Sequence, residues 1–89
     1  MNKILLITTK GCLGCSIMSD MIDVACSKTD INIEKEVKSF EDVDKEFLRK
    51  YTITDYPTTV LIKDNKVKAV YKGVSPASTV SMWINSCFK

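Results

Sequence analysis

Apolar residues run unbroken from Ile4 to Ile7, between Lys3 and Thr8. A continuous aliphatic run of this length suits a strand covered on both faces. Thr9-Lys10-Gly11 interrupts it, and the period then changes. From Cys12 or Leu13 to about Ser27, Ile17, Met18, Met21, Ile22, Val24 and Ala25 separate from Ser16, Ser19, Asp20, Asp23 and Ser27 as two faces of a helix. Ser27-Lys28-Thr29-Asp30 reads as a polar turn. Ile31 to Val37 alternates in part and carries β-branched residues, which predicts a second strand.

Ser39, with Asp42 three residues later, has the spacing of a capping box. It predicts a helix to about Tyr51 with Val43, Phe47, Leu48 and Tyr51 on one face. Thr52 to Tyr56 connects this helix to Pro57. Thr58 to Lys63 is rich in β-branched residues and predicts a strand. Asp64-Asn65 suits a two-residue hairpin turn, because both residues tolerate positive φ. Lys66 to Lys72 is the return strand, and Gly73 ends it. Ser75 is a good N-cap and Pro76 a good first helical residue. Val80, Trp83, Ile84 and Cys87 give the last helix one buried face. Tyr71 and Trp83 are expected in the core.

The order is therefore β-α-β-α-β-β-α, an α/β architecture with a four-stranded mixed sheet flanked by three helices. Its first crossover joins parallel strands and is expected to be right-handed. With 89 residues, one domain over residues 1–89 is expected, with no linker or repeat.

Charge narrows the function. Thirteen basic and 11 acidic residues give a net charge of +2, and the basic residues are scattered. Neither nucleic acid nor a membrane surface is an expected partner. No run approaches the roughly 18 apolar residues of a membrane span. The first apolar run, four residues long, is shorter than the core of a secretion signal, roughly seven residues or more. A cytoplasmic location and a monomer are the expectations.

Four cysteines remain: Cys12, Cys15, Cys26 and Cys87. Cys12 and Cys15 stand where a strand gives way to a helix. Free amides and the dipole at a helix start favour an anion there, and a thiolate is such an anion. Lys10 adds positive charge nearby. A thiolate attacks disulfides, so Cys12 is the candidate nucleophile. Cys15, one turn further in, suits the resolving role. Gly14 lets the backbone close between them, and Leu13 projects as an apolar contact. The same Cys-x-x-Cys spacing also serves zinc sites and fixed structural disulfides. Zinc needs two further ligands, and the chain has no histidine and no second such pair. No metal is expected. Cys26 and Cys87 have apolar neighbours and read as core residues.

These features together resemble the thioredoxin and glutaredoxin superfamily in its short form. The resemblance rests on Cys12-Leu13-Gly14-Cys15 after the first strand, and on Tyr51-Thr52-Ile53-Thr54-Asp55-Tyr56-Pro57-Thr58. It rests also on the strand pair after Pro57, and on Gly73 sixteen residues after Pro57, before the last helix. It spans essentially the whole chain. It implies a thioredoxin-like fold and a cis Tyr56–Pro57 bond beside the cysteines. It further implies that Tyr56, Pro57, Leu13 and Gly73 help to bind an extended substrate.

The implied activity is thiol–disulfide exchange on a disulfide-containing protein or small molecule, with no bound cofactor beyond the Cys12–Cys15 disulfide. A thioredoxin reductase or glutathione would recycle it. The alternative is a peptide-binding module or redox sensor with little turnover.

The departures are specific. Thioredoxins carry Trp where this chain has Gly11, and usually Gly-Pro where it has Leu13-Gly14. Their buried aspartate, the usual base for the resolving cysteine, falls on Leu6. Lys38 matches the lysine that pairs with that aspartate. Glutaredoxins have Gly-Gly-x-Asp where Gly73-Val74-Ser75-Pro76 stands here. Ser75 and the free amides beside it could still take a carboxylate.

Overall fold

The computed structural model describes residues 1–89. The aliphatic run forms β1 (Asn2–Thr8), the middle of the fold. It is followed by α1 (Leu13–Ser27), β2 (Ile33–Ser39), a 3₁₀ turn at Phe40–Asp42, α2 (Lys45–Lys50), β3 (Thr58–Lys63), β4 (Lys66–Lys72) and α3 (Ala77–Phe88). The sheet order is β2-β1-β3-β4. β1 runs parallel to β2 and antiparallel to β3, and β3 and β4 are antiparallel. The element order and the mixed sheet are those that the pattern predicts.

Each face of β1 faces its own apolar layer. Ile4 and Leu6 join Met18, Ile22 and Ala25 of α1, Leu61 of β3, and Val80, Trp83, Ile84 and Phe88 of α3. Leu5 and Ile7 join Ile53 and Val60 on the other side, with Phe40, Val43, Phe47, Leu48, Tyr51 and Tyr56 packed against them. That is why the run shows no alternation. Tyr71 and Trp83 stack in the first layer, with ring centroids 3.8 Å apart.

Several boundaries differ from expectation. On α1 the buried stripe is Cys15, Met18, Ile22 and Ala25. Ile17 and Val24, expected on that face, are 50% and 38% exposed. Seven residues apart, they share a side of the helix turned away from the sheet. β2 begins at Ile33 rather than Ile31 and runs on to Ser39. The helix expected from Ser39 to Tyr51 is broken. Ser39 caps only the 3₁₀ turn, and Val43 is extended, with φ −101° and ψ 140°. Asp44 then caps α2, its Oδ1 accepting the Glu46 N–H at 2.8 Å. Two good capping residues compete, and packing of Phe40 and Val43 against the second layer accompanies the break. At the last helix Pro76, not Ser75, is the N-cap, because its ψ of 159° is not helical.

Asp64 and Asn65 turn the hairpin with φ of 52° and 66°, as a type I′ turn needs. A bulge follows: Leu61 pairs with Ala69 and Ile62 with Val67, so Lys68 is the extra residue. Lys35 ties β2 to α1, donating to Ser19 O, Ser19 Oγ and Asp23 Oδ1 at 3.2, 2.6 and 2.7 Å. No helix is long and apolar enough to cross a membrane.

Lys3 Nζ lies 2.6 Å from Glu36 Oε1, across β1 and β2. The hydrogen bond from Lys3 holds the Glu36 carboxyl below its ordinary value of 4.5. A depressed carboxyl pKa contributes stability above the unfolded value and loses it as pH falls through the folded one. In urea denaturation, wild type is therefore expected to lose its advantage over Glu36→Gln as the pH drops below about 4.5.

Candidate active site

β1 ends at Thr8, and after four intervening residues α1 begins at Leu13. Gly11 makes that turn with φ of +68°, which a residue without Cβ adopts freely. Cys12 is thereby the N-cap of α1, in extended conformation. Its side chain does what a serine or aspartate oxygen does at other helix starts: Cys12 Sγ accepts the backbone N–H of Cys15 at 3.1 Å. The same N–H lies 3.2 Å from Cys12 O.

Cys12 and Cys15 form a disulfide with their Cα atoms 5.3 Å apart. The two sulfurs are not equivalent. Cys12 is half-buried, whereas Cys15 is 6% exposed and on the inner stripe of α1. Leu13 is 85% exposed beside them. Lys10 is exposed, two residues before Cys12, and makes no ion pair.

Two other loops meet the cysteines. The Tyr56–Pro57 peptide is cis, and Pro57 is buried. Pro57 O accepts the Gly73 N–H at 2.8 Å, and Gly73 has φ of +84°. This bond holds the loop before α3 against the loop before β3. Gly14 fits beneath both. A Cβ there would stand 2.9 Å from Val74 Cγ2 and 3.4 Å from Pro57 Cδ. Gly14 thus suits the close packing of α1 on these loops.

Cys12, Cys15, Leu13, Pro57 and Gly73 therefore belong to one end of the molecule. Tyr56 contributes differently. Its ring packs 5.4 Å from Phe40 in the second layer, and its backbone N and O bond to no other backbone group. Lys38 sits 3.6 Å from Glu36 at the surface of β2. Leu6 is fully buried, so this chain has an alkyl group where an acid is the usual base.

Sequence reasoning missed Val74, 49% exposed beside Gly14, and the outward turn of Ile17. Leu13 and Ile17, four residues apart, share one side of α1. The three make an exposed apolar rim at this end of the molecule. It also missed that Ser75 is occupied: its N–H donates to Met18 Sδ at 3.4 Å. Cys26 and Cys87 are free and half-buried, and burial pushes both thiols up. No group of three His, Cys, Asp or Glu side chains is placed to hold a metal ion.

The chain matches no known family model and no curated protein sequence. Solved structures match closely in shape. A malaria parasite thioredoxin-2, described as a component of the parasite's protein secretion machinery, superposes with a TM-score of 0.78 at 17% identity, over 97% of this chain and 82% of that one. Thioredoxin from Aeropyrum pernix gives 0.73 at 17% identity, over 98% and 75%. The reduced Schistosoma mansoni thioredoxin pre-protein gives 0.71 at 23%, over 98% and 79%. The chain has the thioredoxin-like fold, with a Cys12–Cys15 disulfide at the start of its first helix.

Proposed function

We propose that this chain is a thiol–disulfide oxidoreductase, with Cys12 as the attacking sulfur and Cys15 as the resolving one. The observation that carries this reading is the amide of Cys15 directed at Cys12 Sγ, the more exposed of two bonded sulfurs. In the reduced protein the same amide and the start of α1 favour a thiolate at Cys12. Lys10 adds a positive charge at this end.

The Cys12 thiolate attacks a substrate disulfide, releases one substrate thiolate, and is left in a mixed disulfide. Cys15 then attacks Cys12, closes the intramolecular disulfide and releases the second substrate sulfur. Two substrate sulfurs are reduced and two protein sulfurs are oxidised. Leu13, Ile17 and Val74 offer the apolar rim for a protein substrate. The free backbone groups of Tyr56, beside Pro57 and Gly73, suit an extended segment. A reductase dithiol of the thioredoxin reductase kind, or glutathione, would serve the recycling step.

Alkylation of the reduced protein, followed at each cysteine by mass spectrometry across pH, tests the assignment. Cys12 is expected to react at neutral pH with a pKa well below the free value of about 8.5, and the other three slowly. Cys15→Ser is expected to accumulate a mixed disulfide on Cys12, and Cys12→Ser to turn over at background rate. A Cys12 no faster than Cys26 or Cys87 overturns the reading and leaves a peptide-docking surface.

The apolar rim is tested by Leu13→Ser, which removes the side chain without placing a charge beside Cys12. Losing a buried leucine contact is expected to raise KM for a protein disulfide by roughly tenfold, leaving attack on a small aliphatic disulfide near wild type. Equal losses on both substrates would remove Leu13 from the docking surface.

A further inference from the structure

After Asp55 the sequence holds Lys63, Lys66, Lys68, Lys72 and Lys89, with Asp64 as the only acidic residue among them. The fold gathers four of these lysines. Lys63, Lys66, Lys68 and Lys89 line one open groove of about 570 Å³ between the β3–β4 hairpin and the last turn of α3, with Tyr71 and Cys87 on its walls. Lys63 and Lys66 stand directly opposite each other across the hairpin. Like charges in that position repel. Lys68 is the extra residue of the bulge, and Lys89 follows the end of α3.

None of the four lysines has an ion-pair partner. Lys3, Lys35 and Lys38, on β1 and β2, each meet a carboxylate. Asp64, the carboxylate side chain at the groove, is bonded to the Met1 ammonium at 2.7 Å. The end of α3 adds roughly half a negative charge, and a carboxylate where the sequence ends at Lys89 would add another. Ammonium groups remain in excess. Burial pushes the Cys87 thiol up, and the nearby Lys68 ammonium pulls it the other way.

The groove lies at the pole opposite the disulfide. Ile7, near the end of β1 that leads to Cys12, pairs with Thr58, and Asn2 pairs with Lys63. From Thr58 to Lys63 the strand covers roughly 17 Å. α3 runs the same way, from Ala77 near Gly73 to Phe88. A partner held in the groove leaves the Cys12–Cys15 end uncovered.

The chemistry of the groove selects that partner. It offers ammonium groups on flexible stems and no guanidinium, the group whose planar fork matches phosphate. The one arginine of the chain, Arg49, is on α2 and paired with Glu46. Tyr71 is stacked on Trp83 rather than free as a platform for bases. Ammonium groups spread over β3, β4 and the end of α3 suit carboxylates spread along a peptide.

We infer that this groove docks an acidic, extended segment of another protein, whose carboxylates meet Lys63, Lys66, Lys68 and Lys89. The site stands apart from the disulfide, and its test does not depend on Cys12 being a nucleophile.

The probe is a capped, dye-labelled oligoglutamate peptide, followed by fluorescence anisotropy at low salt. Wild type is expected to bind it. Lys66→Gln with Lys68→Gln is expected to weaken binding roughly fivefold, the effect of two exposed ion pairs. Lys45→Gln with Lys50→Gln removes the same charge from α2 and is expected to leave binding unchanged. Bound peptide is also expected to slow alkylation of Cys87 by N-ethylmaleimide in the reduced protein, with the rate at Cys12 unchanged. Absence of binding, equal losses in the two double variants, or binding that leaves Cys87 as reactive as before overturns the inference. So does tighter binding of tripolyphosphate or of a single-stranded oligonucleotide of matched charge, which would make the groove a phosphate site.

Discussion

A sulfur atom occupies the place where an oxygen usually closes the first turn of a helix. Cys12 caps α1 through Sγ, and the amide of Cys15 points at it. The electrostatics of the helix start and the sulfur proposed as nucleophile thus meet in one contact. The rest of the structure brings that contact to the surface. β1, covered on both faces, anchors the strand end. Gly11 turns the chain with its positive φ, and Met18, Ile22 and Ala25 press α1 onto the sheet so that its first turn is held at the edge. Loss of the capping geometry would leave the two cysteines as neighbours without a difference in role.

The surroundings follow from a close approach. Gly14 has no room for a Cβ, because Val74 and Pro57 stand against it. Three segments far apart in sequence meet there, and the Gly73–Pro57 hydrogen bond locks two of them together. One side of the meeting point is exposed apolar surface, and on the other Cys15 is buried on the inner stripe of α1. The thiol pair thus has one half-buried and one buried member, an asymmetry that suits the proposed exchange.

Much of this was legible because the signals are local. The unbroken run of β1, the hydrophobic period of α1 and the Asp64-Asn65 turn each follow from a few adjacent residues. The Cys12–Cys15 pair and Pro57 announce themselves by type and order. What the sequence hid was decided by packing. Ser39 and Asp44 are both sound caps, and the division between a 3₁₀ turn and α2 goes with Phe40 and Val43 fitting the layer around Tyr56. Ile17 and Val24 read as core until the buried stripe of α1 is fixed by what lies beneath it. The contact of Gly14 with Val74 joins residues sixty positions apart, which no local pattern encodes. That the buried Thr59 hydroxyl has no hydrogen-bond partner is visible only in three dimensions.

The sheet order leaves β2 and β4 as outer strands, each with a row of main-chain groups that no neighbouring strand satisfies. Such rows are templates on which another chain can add a strand. Both are guarded by charge. β2 carries Glu34, Lys35, Glu36 and Lys38 among its seven residues, and β4 carries Lys66, Lys68 and Lys72. Two copies meeting antiparallel along β4 would bring lysines into register, and the bulge at Lys68 spoils the straight edge that stacking needs. A protein with exposed apolar side chains beside its disulfide thus keeps its sheet from growing into an aggregate.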